Sequence, residues 1–347
     1  MRTERGRRGA MAAERKVTIT AIAREAGVSV PTVSRVVNGR SDVAPETRAK
    51  VEELLRQYGY RRRTHAPGDR AALLDLVFND LDSPWAVEII RGVEEVAHSS
   101  GIGTVVSAIH DRAGAARQWM TNLRARASDG VILVTSVLEP LLHNELHRLG
   151  VPIVVVDPAG APALSAPTVG ATNWAGGLAA TEHLIQLGHR RIGFIAGPPR
   201  LLCSRARLDG YRAALESAGL PLDEELEVPG DFYHESGFHG CRQLMRLTDP
   251  PTAVFAASDQ MAMGAIEALR QRGLRVPQDI SVVGFDDLPE MRWSAPPLTT
   301  VRQPLAEMGK VAARTVLRQA RGEEIDSPRV ELATELVVRA STAAPAR

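Results

Sequence analysis

Near its start the chain carries apolar residues at helical spacing in three short runs. Ile22, Ala23 and Ala26 mark one face of a helix over 21–26, with Thr20 as its cap. Val33, Val36 and Val37 mark a second helix, capped by Ser29 and carrying Pro31 in its first turn, where a missing N–H costs little. Val51, Leu54 and Leu55 mark a third, opening at Pro45 and closing at Gly59. Gly27 lies between the first two, where the turn needs a backbone conformation that a Cβ resists. This pattern is a helix-turn-helix, whose second helix fits the DNA major groove.

Beyond Arg61–Arg70, a basic stretch broken by Pro67 and Gly68, apolar strands alternate with amphipathic helices. Strands are predicted over 73–78, 104–108, 131–135 and 152–156, and helices over 84–99 and 139–149. The pattern restarts with helices over 174–187, 204–218, 235–246 and 260–271, and strands over 191–196, 253–256 and 280–284. Such alternation predicts parallel sheets covered by helices on both faces, in two α/β lobes with a cleft between them. The late segments 305–321 and 330–338 have the length to cross back between lobes. The expected organisation is a tail (1–16), an all-α helix-turn-helix domain (17–63), a linker (64–70) and a two-lobed α/β sensor (71–343). Within the sensor, one lobe takes 71–171 plus 302–331, the other 172–301 plus 332–343.

The formal net charge of +1 hides an asymmetry. Residues 1–63 hold 15 Lys/Arg and 7 Asp/Glu, and the rest 27 and 34, so a charge of +8 precedes one of −7. Only the first part suits a polyanion, and its binding should weaken with salt through counterion release. The opening MRTERGRRGAMAAERK is basic without an apolar core, and reads as a disordered tail rather than a signal peptide. No run approaches the roughly 18 apolar residues of a membrane span. Cys203 and Cys241 lack metal-ligand spacing and read as reduced core or pocket-wall thiols of a cytoplasmic protein. The nine histidines form no metal motif, and His183 and His189 read as structural. Neither a metal nor a cofactor is expected.

Candidate chemistry falls in two places. On the second helix, Arg35 carries a guanidinium fork that matches the O6 and N7 acceptors of guanine. Val30 and Pro31 offer apolar contact to a base. Ser29, Thr32, Ser34 and Asn38 suit phosphates, which set register without reading sequence. In the sensor, ligands of open α/β sheets bind at the carboxyl ends of strands. Asn79 and Asp80, with Trp85 just beyond, follow the first strand; Asp157 follows a later one; Ser258 and Asp286 follow two more, and Arg207 lies on a nearby helix. Carboxylates and an arginine can each bond two neighbouring hydroxyls, and Trp85 and Phe232 can cover the apolar face of a ring. This set suits a sugar. Asp259 and Asp287 read as helix or turn caps, and Trp174 and Trp293 as packing residues.

These motifs resemble the lactose-repressor and galactose-repressor (LacI/GalR) family over nearly the whole chain. The resemblance rests on A-x-x-A-G-V-S-x-x-T-V-S-R-V-V-N at 23–38, LGHRRIGFIAGP at 187–198 and RLDGYRAAL at 207–215. PTAVFAASDQMAMGAIEAL at 251–269, VPQDISVVGFDD at 276–287 and PPLTTVRQP at 296–304 continue it in the family's order. It implies a homodimer on a near-palindromic operator and a periplasmic-binding-protein-like sensor that closes on an effector. It also implies that Arg207 and Asp286 bind the effector, that Phe232 walls its pocket, and that Ser258 holds a polar position often taken by asparagine. Arg35, Val30 and Pro31 fall on its base-reading positions. The family's P-x-A-x-A-R-x-L hinge helix, which inserts a leucine into the minor groove, has no counterpart in RRRTHAPGDRAALLDL. Arg61–Arg63 are instead placed to track that groove.

The reading is a DNA-binding regulator, a repressor, whose operator affinity a sugar controls; whether the sugar releases or promotes binding stays open. The alternative, an extracytoplasmic sugar-binding protein, lacks its leader and leaves the basic reader unexplained. An enzyme is disfavoured, since neither a G-x-G-x-x-G after the first strand, a P-loop, nor a G-x-S-x-G is present. The ending STAAPAR carries no leucine heptad, which argues against a tetramer.

Overall fold

A computed structural model of the chain describes residues 19–37, 43–58, 71–110, 114–134, 145–146, 148–158 and 166–346. The basic tail, Asn38, the side chains of Thr20, Ser34 and Val37, Gly59, Arg61–Arg63, the linker and most of the helix expected over 139–149 lie outside the described residues. The contacts divide the chain into two units, Met1–Asp69 and Arg70–Arg347.

In the first unit, α1 (Ile19–Ala26), α2 (Val30–Val37) and α3 (Pro45–Gln57) surround a small core of Ile22, Ala23, Ala26, Val33, Val36 and Val51. Gly27 adopts φ +71°, and the amides of Gly27 and Val28 bond back to the carbonyls of Arg24 and Ala23. The turn thereby satisfies part of the end of α1 before α2 begins. Tyr58 Oη donates to Glu25 Oε2 at 2.6 Å and fastens the end of α3 to α1. One boundary differs from expectation: α1 starts at Ile19, so Thr20 lies inside its first turn and not ahead of it. A cap is a matter of backbone geometry, which residue type alone does not locate.

The second unit contains two six-stranded sheets. The first joins β1 (Leu73–Phe78), β2 (Gly103–Ala108), β3 (Gly130–Val134), β4 (Ile153–Val156), β5 (Thr168–Ala171) and β11 (Arg329–Leu332). Its order is β2-β1-β3-β4-β5-β11, all parallel. The second joins β6 (Ile192–Ile195), β7 (Glu227–Val228), β8 (Ala253–Ala256), β9 (Ser281–Asp286), β10 (Thr299–Arg302) and β12 (Glu335–Val337). Its order is β7-β6-β8-β9-β10-β12, parallel except for β12, which runs antiparallel to β10.

Side-chain alternation explains the layers. On β1, Leu74, Leu76 and Phe78 join Ile89 and Val93 of α4 (Pro84–Ser99) in the larger core. Val77, facing the other way, packs with Trp119, Met120 and Leu123 of α5 (Ala115–Arg126). The second sheet lies among α6 (Asn173–Gln186), α7 (Leu202–Ser217), α8 (His234–Leu244) and α9 (Asp259–Gln271). Although α10 (Leu305–Ala320) follows β10 of the second sheet, it packs on α4 and on strands of the first. The chain therefore passes between sheets three times: after β5, between β10 and α10, and between β11 and β12.

The expected run over 330–338 splits at Ala333–Thr334 into strands of different sheets, and the strand expected over 280–284 extends to Asp286. The sequence pattern also missed α5, β5, β7 and β10. Their signals are weak for identifiable reasons. α5 has only a narrow apolar stripe, and β7 is two residues long. β10 reads TTVR, yet Thr299 and Thr300 are fully buried; Thr300 Oγ1 donates to Asp259 Oδ1 at 2.5 Å.

Candidate functional site

Within the first unit, α2 presents a polar and apolar mixture outward. Ser29 caps it: its carbonyl accepts from the amides of Thr32 (2.9 Å) and Val33 (3.2 Å), and its Oγ lies 2.9 Å from Thr32 Oγ1. Val33 and Val36 point into the core, which turns Val30, Pro31 and Arg35 to the exposed side; Thr32 is half-buried. Val30 keeps 42% of its surface exposed. A rigid helix therefore displays an apolar pair followed, a turn later, by a guanidinium.

In the second unit, both sheets have the same doubly wound strand order, and the chain's direction reverses beside β1 in one and β6 in the other. Such switch points open crevices at the strands' carboxyl ends. A cavity of about 320 Å³ lies there. Asn79, Asp80, Trp85, Asp157, Arg207, Phe232, Ser258 and Asp286 all line it.

Each is held by its element. Ser83 Oγ accepts from the Trp85 amide at 3.3 Å, capping α4 and setting Trp85 at its start. Ser258 caps α9 by accepting from the Met261 amide at 3.1 Å, and its hydroxyl donates to the Phe232 carbonyl at 2.8 Å. Buried Arg207 reaches from α7; its Nε donates to Asn173 Oδ1 (2.9 Å) and its Nη1 to the Ala257 carbonyl (2.5 Å). Its Cζ stands 3.8 Å from the centroid of Phe285 and 5.3 Å from that of Phe232. Nη1 also lies 3.7 Å from Asp286 Oδ1.

Asp157, Phe232 and Asp286 adopt φ of +49°, +79° and +124°. These conformations cost energy for residues with a Cβ and recur where a side chain must be aimed. Burial raises the pKa of Asp157, against the opposing pull of Arg207 and a hydrogen bond from the Cys203 thiol. Burial likewise pushes Asp286 up to about 6, although Arg207 and a hydrogen bond from Gln303 favour the carboxylate. The site thus holds buried carboxylates beside a single buried guanidinium, able to accept hydrogen bonds from a ligand.

The two acids set aside as caps act otherwise. Asp259, at the start of α9, accepts from the Leu288 amide (2.8 Å) and Thr300, bracing the loop after β9. Asp287 holds Arg302 (2.8 Å) and Arg339. Trp174 and Trp293 are exposed rather than packed.

Cys203, read as a core or pocket-wall thiol, also lines the cavity, and sequence reasoning missed other wall residues: Ser83, Arg200, Asp231, Tyr233 and Gln260. It also missed Asn173 and Gln303, which hold Arg207 and Asp286 from behind. Asn173 and Gln303 stand just beyond β5 and β10, two strands the sequence pattern did not mark. The others lie beside predicted residues and were recoverable by extending each strand-end loop by a turn. Among the described residues, no group of three or more His, Cys, Asp or Glu could hold a metal. No helix among them is long and apolar enough to cross a membrane.

Two family models match the chain: "Bacterial regulatory proteins, lacI family" over residues 18–63, and "Periplasmic binding protein-like domain" over residues 181–342. The transcriptional regulator DegA of Bacillus subtilis (strain 168) is 34% identical, the match covering 94% of this chain and 98% of DegA. Among solved structures, a complex of the transcriptional regulator CelR with cellobiose matches at 37% identity and TM-score 0.72, covering 94% of this chain and 100% of that one. A lac repressor dimer bound to operator and the anti-inducer ONPF matches at 32% identity and TM-score 0.70, covering 94% and 99%.

Proposed function

The chain belongs to the lacI family of bacterial regulatory proteins, and from that premise we propose that it is an operator-binding transcriptional repressor controlled by a sugar. It acts as a homodimer in the cytoplasm, and its chemistry is binding without catalysis. The observation that carries the sugar reading is the make-up of the cavity: two aromatic residues, Trp85 and Phe232, with Asp157, Arg207 and Asp286. Aromatic faces cover a ring's C–H surface while the charged groups bond its hydroxyls. The CelR–cellobiose relative supports the same ligand class.

On the DNA side, Arg35 reads a guanine edge, Val30 and Pro31 touch neighbouring bases, and Ser29, Thr32, Ser34 and Asn38 settle on phosphates. A sugar can alter operator affinity only by its unequal affinity for the open and closed lobe arrangements.

The test is a thermal-shift screen of the full chain against neutral sugars and sugar phosphates, with Arg207→Ala alongside. A ligand of the folded state raises the melting temperature by mass action. The hit then enters an anisotropy titration with an operator selected from random DNA. A neutral sugar that shifts the wild type, not the variant, and changes operator affinity is the expected result. Selected DNA whose affinity no bound sugar alters would overturn the proposal.

A further inference from the structure

The residues at the cleft mouth touch one another directly. Tyr233 follows Phe232 in the loop before α8, on the second-sheet lobe; Asp80 follows β1, on the first-sheet lobe. Tyr233 Oη donates to Asp80 Oδ1 at 2.8 Å. Beside them, Gln260 of α9 donates from Nε2 to Ser83 Oγ at 3.4 Å, again lobe to lobe. All four residues line the cavity. Both loops are stiffened by local bonds: the Tyr233 amide donates to Asp231 Oδ1 (2.8 Å), and the Asp82 amide to Asp80 Oδ1 (3.3 Å). Burial and the neighbouring Asp80 raise the Tyr233 phenol, so it keeps the proton it donates.

We propose that Tyr233 is a positioning residue whose bond to Asp80 latches the two lobes together, so that effector affinity depends on a contact the effector does not make. The inference rests on the sugar-controlled reading above. It adds that part of Asp80's hydrogen-bonding capacity serves closure of the lobes. A ligand that needs the closed form binds in proportion to the population of that form. Removing one hydrogen bond to a charged acceptor should therefore lower the closed population severalfold.

The test uses hydrogen–deuterium exchange on the ligand-free full chain, with Tyr233→Phe, Asp80→Ala and the double variant. Tyr233→Phe keeps the ring and should fold normally. The latch predicts about fivefold faster exchange in the loop following β1, on the lobe opposite the substitution. Asp80→Ala should have the reciprocal effect at residues 230–236, and the double variant should add nothing to either. Exchange that changes only in the substituted loop would overturn the latch. This measurement needs no ligand, so its failure is distinct from failure of the sugar reading. With a binding sugar, each single variant should raise the dissociation constant about fivefold, and the double variant no further. Additive losses would overturn the latch and make Asp80 a direct ligand contact.

Discussion

Gln303 donates from Nε2 to Asp286 Oδ1 at 2.7 Å, and its amide bonds the Asp286 carbonyl at 3.2 Å. Gln303 opens the passage from β10 to α10, so one carboxylate of the cleft is tied to the segment where the chain changes lobes. Any ligand that re-orients Asp286 acts on that segment through a single side chain.

This pairing carries a pH prediction. Asp286 is raised by burial to about 6 in the folded chain, above about 3.9 in an unfolded one. A carboxyl raised on folding contributes stability that is complete below the unfolded value and is lost as pH rises through the folded one. The contribution of Asp286 to ligand-free stability should therefore fall as pH rises from about 4 to about 6. A hydroxyl-rich effector prefers the ionised acceptor, so its affinity should rise across the same window. Calorimetric titrations from about pH 3.5 to about pH 7 check this. Asp286→Asn should lessen the slope, to which buried Asp157 and Asp259 also contribute, and a profile unchanged by the substitution would refute it.

Gly197 makes room for Phe232: a Cβ built there would lie 2.1 Å from the ring's Cε1. Gly197→Ala should push the ring into the cavity or out of place, at about 1–3 kcal/mol of packing strain. Sugar affinity should fall by about tenfold or more, while ligand-free operator binding holds. Isothermal titration beside anisotropy separates the two, and equal losses in both would argue for general misfolding.

On α2, Arg35→Ala should cost about 1–3 kcal/mol of operator affinity and relax preference at one base pair, with the melting temperature unchanged. Ser29→Ala removes a cap and should lower the stability of the first unit by about 1 kcal/mol. Operator selection repeated with each variant distinguishes them, since only the first should change the recovered sequence.

His189 ties the tail to the second sheet. Its Nδ1 lies 2.8 Å from Thr252 Oγ1, and its Nε2 lies 2.9 Å from the Ala343 carbonyl and 3.1 Å from Ser281 Oγ. Burial lowers its pKa. An imidazole held neutral contributes stability that is present above its unfolded value, about 6.5, and is lost as pH falls below it. On acidification through that value the wild-type melting temperature should fall relative to that of His189→Gln. An equal drop in both would place the acid sensitivity elsewhere.

The helix-turn-helix was legible because its signals are local. A capping serine, a glycine with positive φ, a proline in a first turn and apolar residues at helical spacing act within a few residues of one another. The strands of both lobes were legible where they are long and apolar, as at Leu73–Phe78 and Ala253–Ala256. They were not where burial depends on distant partners. Thr299 and Thr300 look like a polar loop until Ser341 Oγ accepts from one backbone amide and Asp259 takes the other's hydroxyl.

By itself, the sequence determined the two-part plan, the α/β character of the larger part, and which side chains stand at strand ends. Those properties follow from hydrophobic period and charge, which are written along the chain. Only the tertiary structure decided that the eight candidate residues line one cavity, that Gln303 holds Asp286, and that Tyr233 meets Asp80, 153 positions away in the chain. Such pairings depend on which strands neighbour each other and where the chain passes between sheets. Local preference carries no term for either, because both are settled by packing the whole lobe at once.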